Sequence, residues 1–294
     1  MESNRKVDVA VNVYGKPYQT AVTLLTLLKH SGEWINKIYF IEEKFQPEPP
    51  RFQPLLDKLG DKVIYFKPRS WFGPGNPKFK FLTKLKKYRH GIRYQYAWEN
   101  SDQEFLLVTH NDVYFKKDLL KAYIEQIGEA SGIGRIGQCW NCPALAAKKC
   151  DSESYTAYKP DYKEIVTMAN TYPQARTSRY AEVIDPKKPW PLPECRLNEY
   201  MAMINLNKTR KDTIPKGKGS AFGSNYGLDT GVKWFADMNN MNHTFRHFDY
   251  DPYAIHSWVS LKNAGIAAQY NIELYQYEES VAKKVLNEEF NFTF

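Results

Sequence analysis

The chain has 294 residues and a net charge of +8, with 43% hydrophobic and 25% charged residues. This length and composition exclude a disordered or fibrous protein and predict one large or two small globular domains with a sizeable core. No segment reaches the roughly 18 consecutive apolar residues that a membrane span requires. The positive charge suits anionic partners such as phosphate groups, acidic glycans or a membrane surface, and equally suits solvated surface lysines.

The first part of the sequence alternates between strand and helix patterns. Runs rich in β-branched and aromatic residues predict strands at 7–13, 36–43, 61–68 and 104–109. Runs with apolar residues at helical spacing predict helices at 18–32 and 84–100. The segment 70–78 holds two glycines and two prolines, and it therefore predicts a loop.

This alternation is typical of an α/β fold with a mostly parallel sheet and right-handed crossovers. The run 104–109 is continuously apolar, as expected of a central strand that is covered on both faces. After about residue 140 the pattern becomes irregular, and 185–195 is the most proline-rich stretch. We therefore predict an α/β/α sandwich in which 1–140 form the regular half and 141–294 form a lobe packed on it, within a single compact domain.

Polar residues follow three of the predicted strands. His110-Asn111-Asp112 comes after the run 104–109, the segment 12–16 ends the first strand, and Glu42-Glu43 ends the second. Ligands of open α/β sheets lie beyond the carboxyl ends of the strands, where these residues meet. Each of them alone is equally well explained as a turn former or a solvated edge. Together they predict a binding site.

Three segments resemble the donor-binding half of GT-A-fold glycosyltransferases: "VAVNVYGKP", "IYFIEE" and "GIRYQYAWENSDQEFLLVTHNDVYF". The resemblance implies a GT-A-like sandwich in which 1–140 bind a nucleotide sugar and 141–294 bind the acceptor. In that family an Asp-x-Asp motif ends the strand, and its last carboxylate binds a divalent metal held by the donor diphosphate. "HND" takes that place here, with a histidine instead of the first acid. The implied donor-binding residues are Asn12, Tyr14, Glu42, Arg93, His110, Asn111 and Asp112.

The resemblance also implies a second metal ligand near the end of the chain. Several GT-A families bring back a histidine that often precedes a Ser-Trp pair, and "HSW" at 256–258 fits that description. Asp112 and His256 are therefore the expected ligands of Mn²⁺ or Mg²⁺, with His243 and His247 as competitors. Hard cations prefer oxygen ligands, and Mn²⁺ also accepts imidazole.

An inverting transferase needs a carboxylate that takes the proton from the attacking hydroxyl. The candidates, in order, are Asp229, Glu199 and Glu194. Each has a simpler explanation that stays open at this point. Asp229 suits the N-cap of a helix, Glu194 the first turn of a helix, and Glu199 an exposed position.

The four cysteines fall between Cys139 and Cys195. The CxxC pair in "CWNC" is a usual half of a tetrahedral zinc site, because both thiolates reach one ion from a tight turn. We therefore predict a structural zinc, with buried free thiols or a disulfide as alternatives. The predicted ligands are Cys139, Cys142, Cys150 and Cys195.

The predicted function is transfer of a monosaccharide from a UDP- or GDP-linked sugar to a glycan hydroxyl, in surface polysaccharide assembly. A sugar-nucleotidyltransferase is a poorer fit, because "NVYGKPYQ" has one glycine and one lysine where a Gly-rich basic loop is expected. A zinc-stabilised protein that binds nucleic acid or glycan without catalysis is the other alternative. The basic residues are dispersed, so no nucleic-acid partner is predicted. The absence of an apolar leader predicts a cytoplasmic protein, free or peripheral to a membrane.

Overall fold

The computed structural model describes residues 5–49, 51–70, 82–224, 227–260 and 270–294. Residues 71–78 of the predicted loop lie outside these ranges. The strands are β1 Val7–Val13, β2 Ile35–Glu42, β3 Val63–Phe66, β4 Phe105–Thr109, β5 Val113–Phe115, β6 Gly132–Ile136, β7 Leu197–Asn205, β8 Arg246–His247 and β9 Ala254–His256. The α-helices are α1 Pro17–Ser31, α2 Gln53–Leu59, α3 Lys86–Arg89, α4 Gln95–Asn100, α5 Leu119–Ile127, α6 Pro143–Ala146, α7 Tyr162–Thr171, α8 Tyr180–Val183, α9 Leu206–Thr209, α10 Val232–Asn240 and α11 Ile272–Phe290.

Seven strands form one sheet in the order β3-β2-β1-β4-β7-β6-β8. The pairs β3–β2, β2–β1 and β1–β4 are parallel, and β7 runs antiparallel to both of its neighbours. Two further strands, β5 and β9, form a small antiparallel sheet of their own. The predicted α/β architecture with a mostly parallel central sheet is confirmed. Because β7 comes from beyond residue 140, the two predicted parts of the chain share this sheet.

Helices pack on both faces of the sheet and bury two separate apolar clusters. The side chains of β4 alternate between the clusters, with Phe105 and Leu107 in one and Leu106 and Val108 in the other. The whole strand is buried, which confirms the prediction made from its continuous apolar run. Within the described ranges, no helix has both the length and the apolar character that crossing a membrane requires.

The predicted helix over 84–100 is wrong, because the segment forms two short helices, α3 and α4. Residues 90–94 separate them, and Tyr94, at the N-cap of α4, has a backbone φ of 63°, a left-handed conformation that a continuous helix does not contain. The N–H of Tyr94 donates to Asn12 Oδ1 over 2.9 Å. A contact with β1, 82 residues away, therefore stabilises a break that the local apolar spacing does not indicate.

Helix α1 begins without a cap from its own residues: Lys16 occupies the N-cap in a left-handed conformation, and the first turn holds no acidic side chain. Glu279 on α11 supplies the missing acceptors, because its carboxylate accepts from the N–H groups of Tyr18 and Gln19 at 2.8 and 3.2 Å. The first N–H groups of a helix need such partners, and its positive end favours a carboxylate there. Burial nevertheless raises the pKa of Glu279 from 4.5 to about 7.

This carboxyl should make stability depend on pH. The folded state binds the proton of Glu279 more tightly than the unfolded chain, so its contribution is complete below pH 4.5 and is lost as pH rises through about 7. Relative to Glu279→Gln, the wild type should lose about 3 kcal/mol of its free energy of unfolding between these limits. Urea unfolding at a series of pH values measures the difference. Glu288→Gln, at a solvent-exposed position of the same helix, should leave the pH profile unchanged.

Candidate active site

The site lies where β4 ends, at the carboxyl edge of the parallel strands. The ring of His110 and the carboxylate of Asp112 follow the last residue of β4, and His256 arrives from β9. The pairing of β9 with β5 sets His256 opposite Val113, and the N–H of Ser257 donates to the Asp112 carbonyl over 2.9 Å. As a result, one ligand atom from each of His110, Asp112 and His256 lies within 4.8 Å of the other two.

A buried lysine completes this group. The turn after β1 uses two consecutive left-handed residues, Gly15 with φ 59° and Lys16 with φ 56°, which aim the lysine at the sheet edge. A Cβ on Gly15 would lie 2.8 Å from Pro47, so the turn has room for glycine only. Lys16 Nζ lies 2.7 Å from Asp112 Oδ2, and both side chains are almost completely buried.

The second carboxylate oxygen of Asp112 is not matched in this way. Oδ1 is buried without a hydrogen-bond partner, 3.5 Å from His256 Nε2 and 3.8 Å from His110 Nδ1. The two rings approach each other, with His110 Nδ1 3.0 Å from His256 Nε2. An unpartnered buried oxygen facing two imidazoles is an arrangement that a divalent cation would satisfy.

Electrostatics sets the protonation of these groups. Burial opposes ionisation of Asp112, but the Lys16 ammonium and the two imidazoles outweigh it and hold the pKa of Asp112 well below its usual range. Burial lowers the pKa of His256 and outweighs the attraction of Asp112. At neutral pH the site therefore presents a charged carboxylate beside a neutral imidazole, the forms that bind metals.

A network of two arginines and three acids continues from His110. Glu199 Oε1 lies 3.5 Å from His110 Nε2, and its other oxygen lies 3.1 Å from Arg196 Nη1. Arg196 also pairs with Asp229 Oδ1 at 2.8 Å. Arg176 pairs with Asp229 Oδ2 at 2.6 Å and with Glu194 Oε2 at 3.3 Å. The three candidate bases thus belong to one charged cluster that contacts the His-Asp-His group through His110.

The simpler explanations for these acids are wrong. Helix α10 begins at Val232 with Gly231 at its N-cap, so Asp229 caps no helix. Glu194 lies in a turn outside any helix, and Glu199 is a buried residue of β7. The segment around Glu199 forms the strand β7 because it pairs with β4 and β6, and its own sequence does not indicate this pairing.

The three acids differ in proton affinity. Burial opposes ionisation of Asp229, yet Arg196 and Arg176 outweigh it and hold the pKa of Asp229 well below its usual range. Burial is likewise outweighed at Glu199, where Arg196 and His110 lower the pKa. At Glu194 burial prevails over both arginines and raises the pKa, and Glu194 Oε1 is buried without a hydrogen-bond partner.

Other residues predicted to bind the donor lie at the same edge, but several bind protein groups. Asn12 accepts from Tyr94, as described above, and Asn111 Nδ2 donates to Thr20 Oγ1 over 3.0 Å and to the Gly15 carbonyl over 3.3 Å. Their amides therefore hold the site together from within. The remaining three predicted residues lie beside the site. Tyr14 follows β1 directly, and Glu42 ends β2 and contacts Lys67. Arg93 Nε lies 2.8 Å from Glu43 Oε1.

The competing histidines are elsewhere. His247 Nδ1 accepts from the N–H of Ile136 over 3.1 Å. His243 lies between Ser131 and Asp212, with ring nitrogens 2.7 and 3.0 Å from their side-chain oxygens. Of the predicted pair of metal ligands and their competitors, the structure brings only Asp112 and His256 together, and it adds His110.

The four cysteines are free thiols. Among the residues that the structure describes, no three of their sulfur atoms lie within 4.8 Å of one another. Cys139 Sγ instead lies 3.0 Å from Ser152 Oγ, and burial raises the pKa of Cys142 to about 11 and of Cys150 to about 12. Neighbouring thiols add to the effect of burial, because Cys142 and Cys139 also raise the pKa of Cys150, and Cys142, Cys150 and Cys139 raise that of Cys195. The structural zinc remains a prediction, which metal analysis of the purified protein tests.

Sequence reasoning missed the pairing of Lys16 with Asp112 and the arginines of the charged network. "GKP" directly after a strand is a signal for the lysine, since a glycine turn can aim a cation at the sheet edge. Arg176 lies in a 3₁₀ turn region 53 residues from Asp229, and no local pattern connects the two.

Comparison with known proteins gives a similarity of structure without one of sequence. No family model matches the chain, and no curated protein matches it. Among solved structures, 236 chains match. One is the mannosyltransferase PcManGT from Pyrobaculum calidifontis in complex with GDP-Man and Mn²⁺. It is 7% identical, with a TM-score of 0.48 over 98% of this chain and 76% of that chain.

Proposed function

We propose that the protein is a glycosyltransferase that moves a monosaccharide from a nucleotide diphosphate sugar to a glycan hydroxyl. The observation that carries the proposal is the group of His110, Asp112 and His256 at the carboxyl edge of the sheet, with Lys16 buried against it. A nucleoside diphosphate is a poor leaving group until positive charge neutralises it, and this edge offers both a cation and a metal-binding donor set.

The residues present fit a divalent cation. Asp112 Oδ1 is buried and unpartnered between two imidazoles, so His110, Asp112 and His256 would hold the ion. Two nitrogens and one oxygen suit Mn²⁺ better than Mg²⁺, which prefers oxygen alone. When bound, the ion supplies positive charge to the departing diphosphate. Lys16 keeps the Asp112 carboxylate ionised and oriented through its contact with Oδ2.

For the acceptor side we propose Glu194 as the general base. Asp229 is the first candidate on sequence grounds, but each of its carboxylate oxygens pairs with an arginine and its pKa is lowered. Glu199 is held between Arg196 and His110. Only Glu194 combines a raised pKa with an unpartnered oxygen, and a base works best when its pKa approaches the operating pH.

Glu194→Gln should lower kcat by about 10²- to 10⁴-fold while leaving the donor KM nearly unchanged. In the wild type, kcat/KM should fall on the acidic side at a pH above the ordinary pKa of glutamate, because protonation of Glu194 removes the base and the pKa of Glu194 is raised. This fall should be absent in the variant. Steady-state kinetics across pH measures both effects. Glu182→Gln, at an exposed residue of α8, is the control. A larger loss in Asp229→Asn at unchanged melting temperature would assign the base to Asp229.

A panel of UDP-, GDP- and dTDP-sugars tests the proposed function. One donor should raise the melting temperature more with Mn²⁺ than in EDTA, and turnover should release the nucleoside diphosphate. Release of pyrophosphate from a nucleoside triphosphate and a sugar phosphate would favour a sugar-nucleotidyltransferase instead. Stabilisation by a glycan with no release of nucleotide would indicate a binding protein without catalysis.

The wider setting follows from the chemistry proposed. A transferase that uses activated sugars works where nucleotide sugars are made, so we place it in the cytoplasm, free or peripheral to a membrane. Its net charge of +8 suits acceptors carried on an anionic surface. Assembly of a surface polysaccharide is the role that we propose.

A further inference from the structure

A second constellation of reactive side chains lies away from the donor site. Ser131, His243 and Asp212 line a cavity of about 330 Å³. Ser131 Oγ lies 2.7 Å from His243 Nδ1, and His243 Nε2 lies 3.0 Å from Asp212 Oδ2. Serine, histidine and aspartate connected in this order are the groups of a nucleophilic relay.

The hydrogen bonds require one protonation pattern. An ionised carboxylate can only accept, so Nε2 of His243 must carry the proton that it shares with Asp212. In the neutral ring Nδ1 is then an acceptor, and the hydroxyl of Ser131 donates to it. The ring nitrogens exchange the roles they have in serine proteases, but the chemistry needs only an unprotonated nitrogen facing the serine.

Backbone contacts hold Ser131 and Asp212 in place. Ser131 donates its N–H to the Thr244 carbonyl over 2.8 Å and accepts from the N–H of Asn205 over 3.0 Å. The Asp212 carbonyl accepts from the N–H of Gly219 over 2.8 Å, in a turn where a Cβ on Gly217 would lie 2.1 Å from Asp212. The backbone of Asp212 is therefore held by a turn that has no room for a side chain at Gly217.

This group lies at the opposite edge of the sheet from the donor site. Ser131 directly precedes β6, and its carbonyl bonds to Asn205, which pairs with Phe105 at the start of β4. Asp112 follows the other end of β4. A reaction at Ser131 would therefore not use the His-Asp-His group.

We propose that Ser131, His243 and Asp212 form a second active site that hydrolyses small carboxylic esters. Ser131 Oγ attacks the carbonyl carbon while its proton passes to His243 Nδ1. The alcohol then leaves with that proton, and water releases the acid by the same route in reverse. Asp212 is a positioning residue that stabilises the imidazolium. Lys208, Lys211 and Glu129 line the same cavity. Lys208 Nζ pairs with Glu129 Oε2 at 2.6 Å, so the positive charge that favours the negative charge developing on the carbonyl oxygen comes from Lys211.

The cavity limits the substrate. Ligand pockets typically occupy about 300–1,000 Å³, so this one admits a short acyl or alkyl group rather than a long chain. Esters such as acetates on sugars or alcohols have the right size and chemistry.

Two probes test the proposal on the full chain: hydrolysis of p-nitrophenyl acetate, and covalent labelling by a fluorophosphonate. In the labelling, Ser131 Oγ forms a bond to phosphorus, fluoride leaves, and His243 takes the proton. We expect one adduct per chain, mapped to Ser131 by mass spectrometry. His243→Gln should slow both reactions by about 10²-fold or more, because a positioned base contributes at least that much.

Control variants distinguish a catalytic role of these three residues from a purely structural one. Ser280→Ala, on the exposed side of α11, should react like the wild type. Asp212→Asn should slow the reactions and shift their pH profile, whereas loss of a purely structural contact would not shift the pH profile. Each variant is compared at matched folded fraction from its melting curve. If Ser131→Ala does not fold, the adduct position in the wild type still decides. No adduct at Ser131, or equal rates in His243→Gln, would overturn the proposal.

Discussion

Asp112→Asn should lower sugar transfer by about 10²- to 10³-fold and abolish the effect of Mn²⁺ on donor binding. The substitution keeps the shape of the side chain but removes the charge that faces His110 and His256. His256→Ala removes a neutral ligand and should weaken Mn²⁺ binding by less. Turnover with the identified donor and calorimetric titration of Mn²⁺ measure the two effects.

The same change should also destabilise the protein, which needs to be separated from catalysis. Asp112→Asn leaves the buried ammonium of Lys16 without its counter-charge, and breaking a buried pair costs about 3–5 kcal/mol. Adding Lys16→Met removes the unpaired charge and should restore much of the stability without restoring turnover. Asp57→Asn, on the exposed side of α2, should change neither property. Recovery of turnover in the double variant, or full wild-type activity in EDTA, would refute a metal held by Asp112.

Arg196→Met should lower the free energy of unfolding by about 3–5 kcal/mol. The guanidinium is almost completely buried and pairs with Glu199 and Asp229, and it also donates to the Thr230 carbonyl over 2.9 Å. Burial opposes its charge, but the two carboxylates outweigh it and raise the pKa of Arg196. Removing Arg196 leaves the buried carboxylate of Glu199 without this cationic partner, beside the carboxylate of Asp229. Urea unfolding measures the loss.

The matched control for this prediction is Arg135→Met. Arg135 also pairs with two acids, but Asp249 and Asp251 are 60% and 66% exposed, so water already screens these pairs. Its loss should cost about 1 kcal/mol, from the exposed pairs and its contact with the ring of Tyr250. Adding Glu199→Gln to Arg196→Met should recover part of the stability, since the buried charge is then gone. Equal costs for the two arginines would contradict a buried electrostatic network.

The sequence by itself determined the elements whose signals are local. The β-branched runs of β1, β2 and β4 and the proline and glycine that bound α1 are sufficient, because strand and helix preferences depend on neighbours within a few residues. It also indicated the sheet edge at which the polar triplet lies, since parallel strands end at the same side. A family resemblance added His256, which the pairing of β9 with β5 then brought beside Asp112.

Only the tertiary structure decided how the charged groups pair. Lys16 and Asp112 are 96 residues apart, Arg176 and Asp229 are 53 apart, and His110 and His256, which meet beside Asp112, are 146 apart. The break at Tyr94 and the strand containing Glu199 likewise depend on distant partners, Asn12 and β4. The balance between burial and nearby positive charge then changes which acid we propose as the base, because burial prevails at Glu194 and raises its pKa, whereas the arginines prevail at Asp229 and Glu199 and lower theirs. Coulomb energies vary with distance and with burial, and neither quantity exists for a residue until the chain has folded.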